Sequence, residues 1–288
     1  MVKTLVVSTR VVAKGMGPPL RGLVHSVFAG AANVIFPDGF LLSLNASAPL
    51  PSPPTPHIKK EGLLMPNGVL ISAGWGEFPF AELRAGMPVV MGAGWLTFEA
   101  IACSLDFAHC PRWDPHIARP AELDEGLVRA NGRWLAQFCR REGLSGLPKL
   151  EECAGETILA LAERLCGWGP GLTPSGDDFL AGWMAAGWLL SGPQPAFLAL
   201  CQQICEIARR CTHALSQCWL AYAAAGDVAM PVGKLLAALA TPDQDWLERA
   251  ARGLLTLGAT SGFDLLQGIL YYLANPNHPT AHNRDSSH

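Results

Sequence analysis

Residues 166–182 read CGWGPGLTPSGDDFLAG, which sets two adjacent carboxylates, Asp177 and Asp178, between a glycine-proline loop and an apolar run. Glycine lets the backbone approach a ligand closely, and proline fixes a loop's shape before anything binds. Exposed amides at a helix start hold an anion. Carboxylates at the same place repel an anion unless a cation or an amino group intervenes. The residue types therefore suit a ligand with mixed needs. The backbone at Gly169, Gly171 and Gly176, with Thr173 and Ser175 beside it, suits an anionic group. Asp177 and Asp178, as candidate catalytic residues, suit an amide, an ammonium group or Mg²⁺. No Gly-Lys-Ser/Thr follows the glycines, which excludes a Walker-type phosphate loop.

The motif has an echo. TPSGDDFLAG at 173–182 returns as ATSGFDLLQG at 259–268. At a constant offset of 86, Ser175 matches Ser261, Gly176 matches Gly262, Asp178 matches Asp264 and Gly182 matches Gly268. Thr260, Ser261, Gly262 and Asp264 thus join the candidate ligand-binding set.

The same pattern has a purely structural use. Ser-x-x-Asp is a variant capping box: the serine oxygen accepts an amide of the first turn and the acid answers back. An acid there also complements the helix dipole. On that reading Asp178 takes the capping place. Asp177, replaced by Phe263 in the echo, is left free to face a ligand or a cation. The loops 169–178 and 259–264 are expected to meet in one pocket.

The elements that must position these residues follow from composition and period. The chain has 288 residues, 50% hydrophobic and 16% charged, with net charge −3. That is ample for a packed core, and it lacks the basic tract that grips a phosphate backbone, which argues against nucleic acid. The N-terminal MVKTLVVSTRVVAKG lacks the features of a signal peptide and reads as a strand. The longest apolar run, residues 179–190, falls short of the roughly twenty needed to cross a bilayer. A cytoplasmic protein with no membrane partner is expected.

Short alternating runs separated by turn signals, such as Pro37-Asp38-Gly39 and Pro66-Asn67-Gly68, fill residues 1–118. They predict a mainly antiparallel sheet or barrel with hairpins at those turns. The proline-rich segment APLPSPPTPHIKKEG reads as an extended crossing. From 119 the period turns helical, with an apolar stripe of Leu123, Leu127, Ala130, Trp134 and Phe138. Further helices are expected at 150–166, 175–191, 195–224, 231–240, 243–257 and 261–274, with ends at Gly143, Gly192 and Gly226. The fold class is α+β: a β-rich domain over 1–118, an α-helical domain over 119–275 and a polar tail over 276–288.

Other reactive side chains read as packing. Nine cysteines include no C-x-x-C, and Cys201, Cys211 and Cys218 fall on the apolar stripe of the 195–224 helix. Core packing is the better reading than zinc. Thr212 and Ser216, four apart near Arg209, Arg210 and His213, either bond back to helix carbonyls or line a cleft facing the two loops. His25, His57, His109 and His116 have no metal-ligand spacing.

The long glycine-proline-aspartate motif GWGPGLTPSGDDFLAG, with THALSQCWLAYAAAGD and GATSGFDLLQG, resembles the AllH-like family over most of the chain. That family includes a subunit of oxamate carbamoyltransferase from anaerobic allantoin breakdown. The resemblance implies the reaction of oxalurate and phosphate to oxamate and carbamoyl phosphate, carried out with other subunits on a small anionic substrate. Amides at Gly169, Gly171 and Gly176 would hold the anionic groups, and Asp177 or Asp178 the amide NH₂. Two other readings compete. One is a stand-alone Mg²⁺-dependent phosphate- or nucleotide-binding enzyme. The other is a non-catalytic interaction subunit, which would use tryptophans such as Trp168, Trp183 and Trp188.

Overall fold

A computed structural model describes residues 4–28, 30–46, 64–71, 78–144 and 157–275. The proline-rich segment with His57, the start of the helix expected at 150 and the tail 276–288 lie outside the described residues. The chain divides into two units, residues 1–116 and 117–288. The architecture is α+β, as the change of period implies.

The first unit is built on one curled sheet. Its strands are β1 (Thr4–Ser8), β2 (Leu20–Phe28), β3 (Ala31–Ile35), β4 (Leu41–Ala46), β5 (Gly68–Ile71), β6 (Pro88–Gly92), β7 (Trp95–Phe98), β8 (Cys103–Asp106) and β9 (Arg112–Trp113). The spatial order is β8-β7-β6-β2-β3-β4-β5-β1-β9. Pairing is antiparallel except at β4·β5 and β1·β9. Val7, Phe36, Leu42, Met91, Phe98 and Phe107 fill its core.

The Asp38-Gly39 signal does close a hairpin between β3 and β4, with Gly39 at φ 81°. The Asn67-Gly68 signal does not: it enters β5, which runs parallel to β4. There Asn67 is buried, and its side-chain amide donates to the Leu41 carbonyl. The N-terminal stretch is only half strand. Ser8 accepts the amide of Arg10, and helix α1 (Thr9–Gly15) follows, burying Val11 and Val12. A serine that caps a helix needs no glycine or proline to announce the change.

The second unit is helical: α2 (Glu125–Arg141), α3 (Ile158–Leu165), α4 (Ser175–Ser191), α5 (Pro195–Cys211), α6 (Ala214–Ala224), α7 (Met230–Leu239), α8 (Gln244–Leu255) and α9 (Ser261–Ala274). Chain reversals follow α2, α4 and α6 at Gly143, Gly192 and Gly226, all at positive φ. The buried face of α2 centres on Val128, Leu135, Phe138 and Cys139, whereas Ala130 of the expected stripe is exposed. Half-buried Trp134 stacks on Phe138 instead.

Helix α4 is the axis of this unit. It is buried along nearly its whole length, from Ser175 to Leu190, so its apolar residues show no single face. Its principal partner is α9. Trp183 meets Tyr272 at 5.2 Å between ring centroids, and Ser191 Oγ lies 2.8 Å from the Tyr272 hydroxyl. Gly182 lies against Leu265 nearer the helix starts and Ser191 against Tyr272 nearer their ends, so the two helices run parallel with their starts side by side.

The helix expected over 195–224 is two helices. Thr212 and His213 are extended, at φ −132°, ψ 173° and φ −89°, ψ 165°. Cys201 is buried, but the break turns Cys211 out to solvent. The described cysteines are all free.

Candidate functional site

The two motif copies form one structural repeat. Helix α3, a loop and α4 make the first half; α8, a loop and α9 make the second. The amide of Gly176 donates to the Trp168 carbonyl at 2.9 Å, and the amide of Gly262 donates to Leu257 at the same distance. A Cβ on Gly176 would strike the Leu165 carbonyl, and one on Gly262 the equivalent Leu254 carbonyl. A Cβ on Gly182 would strike the Leu265 carbonyl, while one on Gly268 would strike the Phe179 carbonyl. Helix starts are thus seated on the ends of the preceding helices, and α4 and α9 touch backbone to backbone.

Side chains cross between the halves. Asp178 takes side-chain hydrogen bonds from Ser261 and Thr173, and Asp264 takes them from Ser175 and Thr260. Thr173 Oγ1 and Ser261 Oγ are 3.0 Å apart. The expected meeting of the two loops is present, and it is reciprocal.

The capping box is not present. Pro174 and Thr260 occupy the positions before the helices, Ser175 and Ser261 are the first helical residues, and no side-chain cap bond forms at either end. Each serine reaches the aspartate of the other helix rather than its own backbone. Asp178 therefore does not hold the local capping place read from the sequence.

Asp177 is not free either. Its Oδ1 accepts the Gly167 amide at 2.8 Å and its Oδ2 accepts the Thr212 hydroxyl at 2.6 Å. It is only 3% exposed. The bond to Thr212 explains the break between α5 and α6: that hydroxyl turns to Asp177, not back to a helix carbonyl. Ser216, also buried, lies 3.4 Å from the Leu172 carbonyl. Both hydroxyls thus face the first loop. Arg209, Arg210 and His213 are exposed, and Arg210 pairs with Glu163 at 2.8 Å.

The first loop is held open by glycine. Gly167, Gly169 and Gly171 sit at φ 72°, 112° and 99°. The amides of Gly169, Gly171, Leu172 and Thr173 donate no backbone hydrogen bond among the described residues. Leu172 is 43% exposed at the tip. The second loop is three residues shorter, between Leu257 and Ser261, and lacks the Gly-Pro-Gly.

Two buried oxygens, Asp178 Oδ2 and Asp264 Oδ2, have no hydrogen-bond partner. Burial is the main cause that raises both carboxyls, against the pull of the hydroxyls; Asp178 rises from 3.8 to about 8, with the charges of Asp264 and Asp177 adding to the shift. Cys166, beside Asp177, is pushed up by burial and then by the Asp177 charge, which leaves an unreactive thiol. Among the described residues no group of three or more His, Cys, Asp or Glu could hold a metal ion. A groove of about 390 Å³ between α3 and α5, lined by Leu159, Glu163, Gln203, Ile207 and Arg210 among others, shares none of these residues.

The raised Asp178 has a consequence for stability. The folded state binds its proton more tightly than the unfolded chain does. That contribution is complete below about pH 4 and is lost as pH rises to about 8. Within this window the carboxyl lowers stability by about 1.4 kcal/mol per pH unit. Asp178→Asn, neutral at every pH, removes that slope. Thermal melts of both proteins across the window check it, and parallel curves would contradict a neutral Asp178.

The relation of the whole chain to known proteins agrees with these two units. Residues 3–112 match the AllH family N-terminal domain, and residues 165–273 match oxamate carbamoyltransferase subunit AllH. The second match begins at the end of α3 and takes in both loops with α4 and nearly all of α9. No solved structure matches the chain. Among the described residues no helix is long and apolar enough to cross a membrane. On the strength of the two family matches, which together cover most of its length, the chain belongs to the AllH family of oxamate carbamoyltransferase subunits.

Proposed function

We propose that this chain is the ligand-binding subunit of a carbamoyltransferase assembly that converts oxalurate and phosphate to oxamate and carbamoyl phosphate in allantoin breakdown. One observation carries the reading. Two parallel helices start side by side under a glycine loop, and Asp178 and Asp264 each leave a buried oxygen without a partner there. Helix starts attract anions through unpaired amides and the dipole. The carboxyls are suited to a nearby amide group.

The candidate ligands carry both features. Oxamate and oxalurate have a carboxylate and an amide; carbamoyl phosphate has a phosphate and an amide. The anionic end belongs against the amides of Gly169, Gly171, Leu172 and Thr173 and the start of α9 at Ser261, and not, as expected from the sequence, against Gly176, whose amide, like that of Gly262, already donates to a backbone carbonyl. The amide belongs against Asp178 and Asp264, with Thr173, Ser175 and Thr260 holding those carboxyls. Asp177, Thr212 and Ser216 fix the loop. The chain works with other subunits in the cytoplasm, with neither nucleic acid nor membrane as a partner.

Calorimetry on the purified chain tests the reading, with oxamate, oxalurate and carbamoyl phosphate as probes. At least one is expected to bind, and Ser261→Ala is expected to weaken it tenfold or more, about 1.4 kcal/mol. Binding of none of them, in the chain alone or in the reconstituted assembly, overturns it. Tight binding of ATP with Mg²⁺ instead would favour the nucleotide-enzyme reading.

A further inference from the structure

Four hydroxyls hold the two acids of the repeat: Thr173 and Ser261 on Asp178, Ser175 and Thr260 on Asp264. All four bear on the first oxygen of each carboxyl, because Asp178 Oδ2 and Asp264 Oδ2 have no partner. The hydrogens around Asp178 can be counted. Thr173, Ser261 and Asp178 Oδ1 make three contacts, and the two hydroxyls supply two hydrogens. A carboxyl hydrogen, when there is one, completes this triangle and leaves Oδ2 as a carbonyl-type acceptor. When there is none, Oδ2 is a carboxylate oxygen and accepts as well. It has no hydrogen to give in either case. Asp264 Oδ2 stands outside its own two hydroxyl contacts in the same way. The parent residues are 8% and 3% exposed, so bulk water does not fill these positions. A buried acceptor without a donor is costly, and two of them at matching places in a repeat call for donors from outside the chain.

We infer that Asp178 and Asp264 together set specificity for an unsubstituted NH₂ group, with one ligand nitrogen giving one hydrogen to each Oδ2. The inference rests on the ligand-site reading above and narrows it, from any amide to a primary one. The two acids sit in the first turns of α4 and α9, whose starts lie side by side, and the charge of Asp264 bears on Asp178. A planar NH₂ carries two divergent hydrogens, enough for both oxygens. A secondary amide or a hydroxyl carries one and leaves the other oxygen orphaned. An ammonium group could also reach both. However, the starts of two helices and the unpaired amides of Leu172 and Thr173 make the surroundings partly positive, which favours a neutral donor carried by an anion.

Oxamate and pyruvate separate donor count from size and charge. Both are 2-oxo carboxylates with a single negative charge, and they differ in an NH₂ against a methyl group of nearly the same size. Each is titrated into the full chain by calorimetry. Oxamate is expected to bind at least about a hundredfold more tightly, since pyruvate leaves two buried acceptors empty. N-methyloxamate, with one N–H, is expected to bind at least about tenfold more weakly than oxamate. Asp264→Ala removes one acceptor, so the preference for oxamate over pyruvate should shrink by about tenfold while pyruvate itself binds no worse. The three-ligand series on the unmodified chain gives the same answer if that variant does not fold.

Equal binding of oxamate and pyruvate overturns the inference while leaving the anion site intact. Equal binding of oxamate and N-methyloxamate overturns it too, because one hydrogen would then suffice. Displacement of oxamate by ammonium ion overturns it in favour of a cation site. Failure of oxamate to bind overturns it as well, and the function reading is then decided separately, by activity of the reconstituted assembly.

Discussion

Gly182→Ala and Gly268→Ala are each expected to lower the stability of the helical unit by about 3 kcal/mol or more, a shift of roughly 6–12 °C in melting temperature. The added Cβ meets backbone in both cases. At Gly182 it runs into the carbonyl of Leu265; at Gly268 it runs into the carbonyl of Phe179 and approaches the Trp183 amide. A flexible side chain could swing aside, but a helix backbone moves only with the whole helix. Moving α4 from α9 would also disturb the contacts of Trp183 and Phe179 with Tyr272 and Tyr271. Gly253 is the internal control. It lies within α8, without positive φ, and nothing lies within 4 Å of its built Cβ. Gly253→Ala is expected to stabilise by about 0.5–1 kcal/mol through helix propensity. Equal small effects at all three positions would show that α4 and α9 are not in backbone contact.

These glycines also indicate what a sequence makes legible. The offset of 86 between the copies pointed to two equivalent helix starts, and the carbonyl contacts at Gly182 and Gly268 explain why glycine recurs at both positions. The change from alternating to helical period was equally local in origin, since side-chain direction repeats every two residues in a strand and every 3.6 in a helix. The partners of the acids were not local. Ser-x-x-Asp is compatible with a cap within one helix and with a bond to its neighbour, and only the parallel packing of α4 and α9 selects the second. Likewise, no glycine or proline marks the break at Thr212 and His213 in RRCTHALSQC; a hydroxyl bonding to Asp177, distant in sequence, makes it. The signal available was the excess acid itself. One carboxylate sufficed for the repeat, so the extra one at 177 had a separate use.

That use is structural, and its removal is expected to be costly. Asp177 joins three pieces: the start of α4, the turn at Gly167 and the elbow between α5 and α6. Gly167 is itself pinned, with φ 72° and no room for a Cβ against the Cys211 carbonyl. Hydrogen bonds to a charged group are worth about 1.5–3 kcal/mol each, and more when the partner is left buried and unpaired. Asp177→Ala is therefore expected to destabilise by about 3 kcal/mol. Thr212→Val, which keeps shape and removes one hydroxyl, should cost about 1.5–3 kcal/mol. The double variant should cost less than the sum by about 1–2 kcal/mol, because the shared bond can be lost only once. Ligand affinity should fall in step with stability, since both depend on the shape of the 167–173 loop. Additive losses in the denaturation cycle would mean that Thr212 and Asp177 do not depend on each other. An Asp177→Ala protein of normal stability that failed to bind ligand would instead move this carboxylate from the scaffold to the ligand.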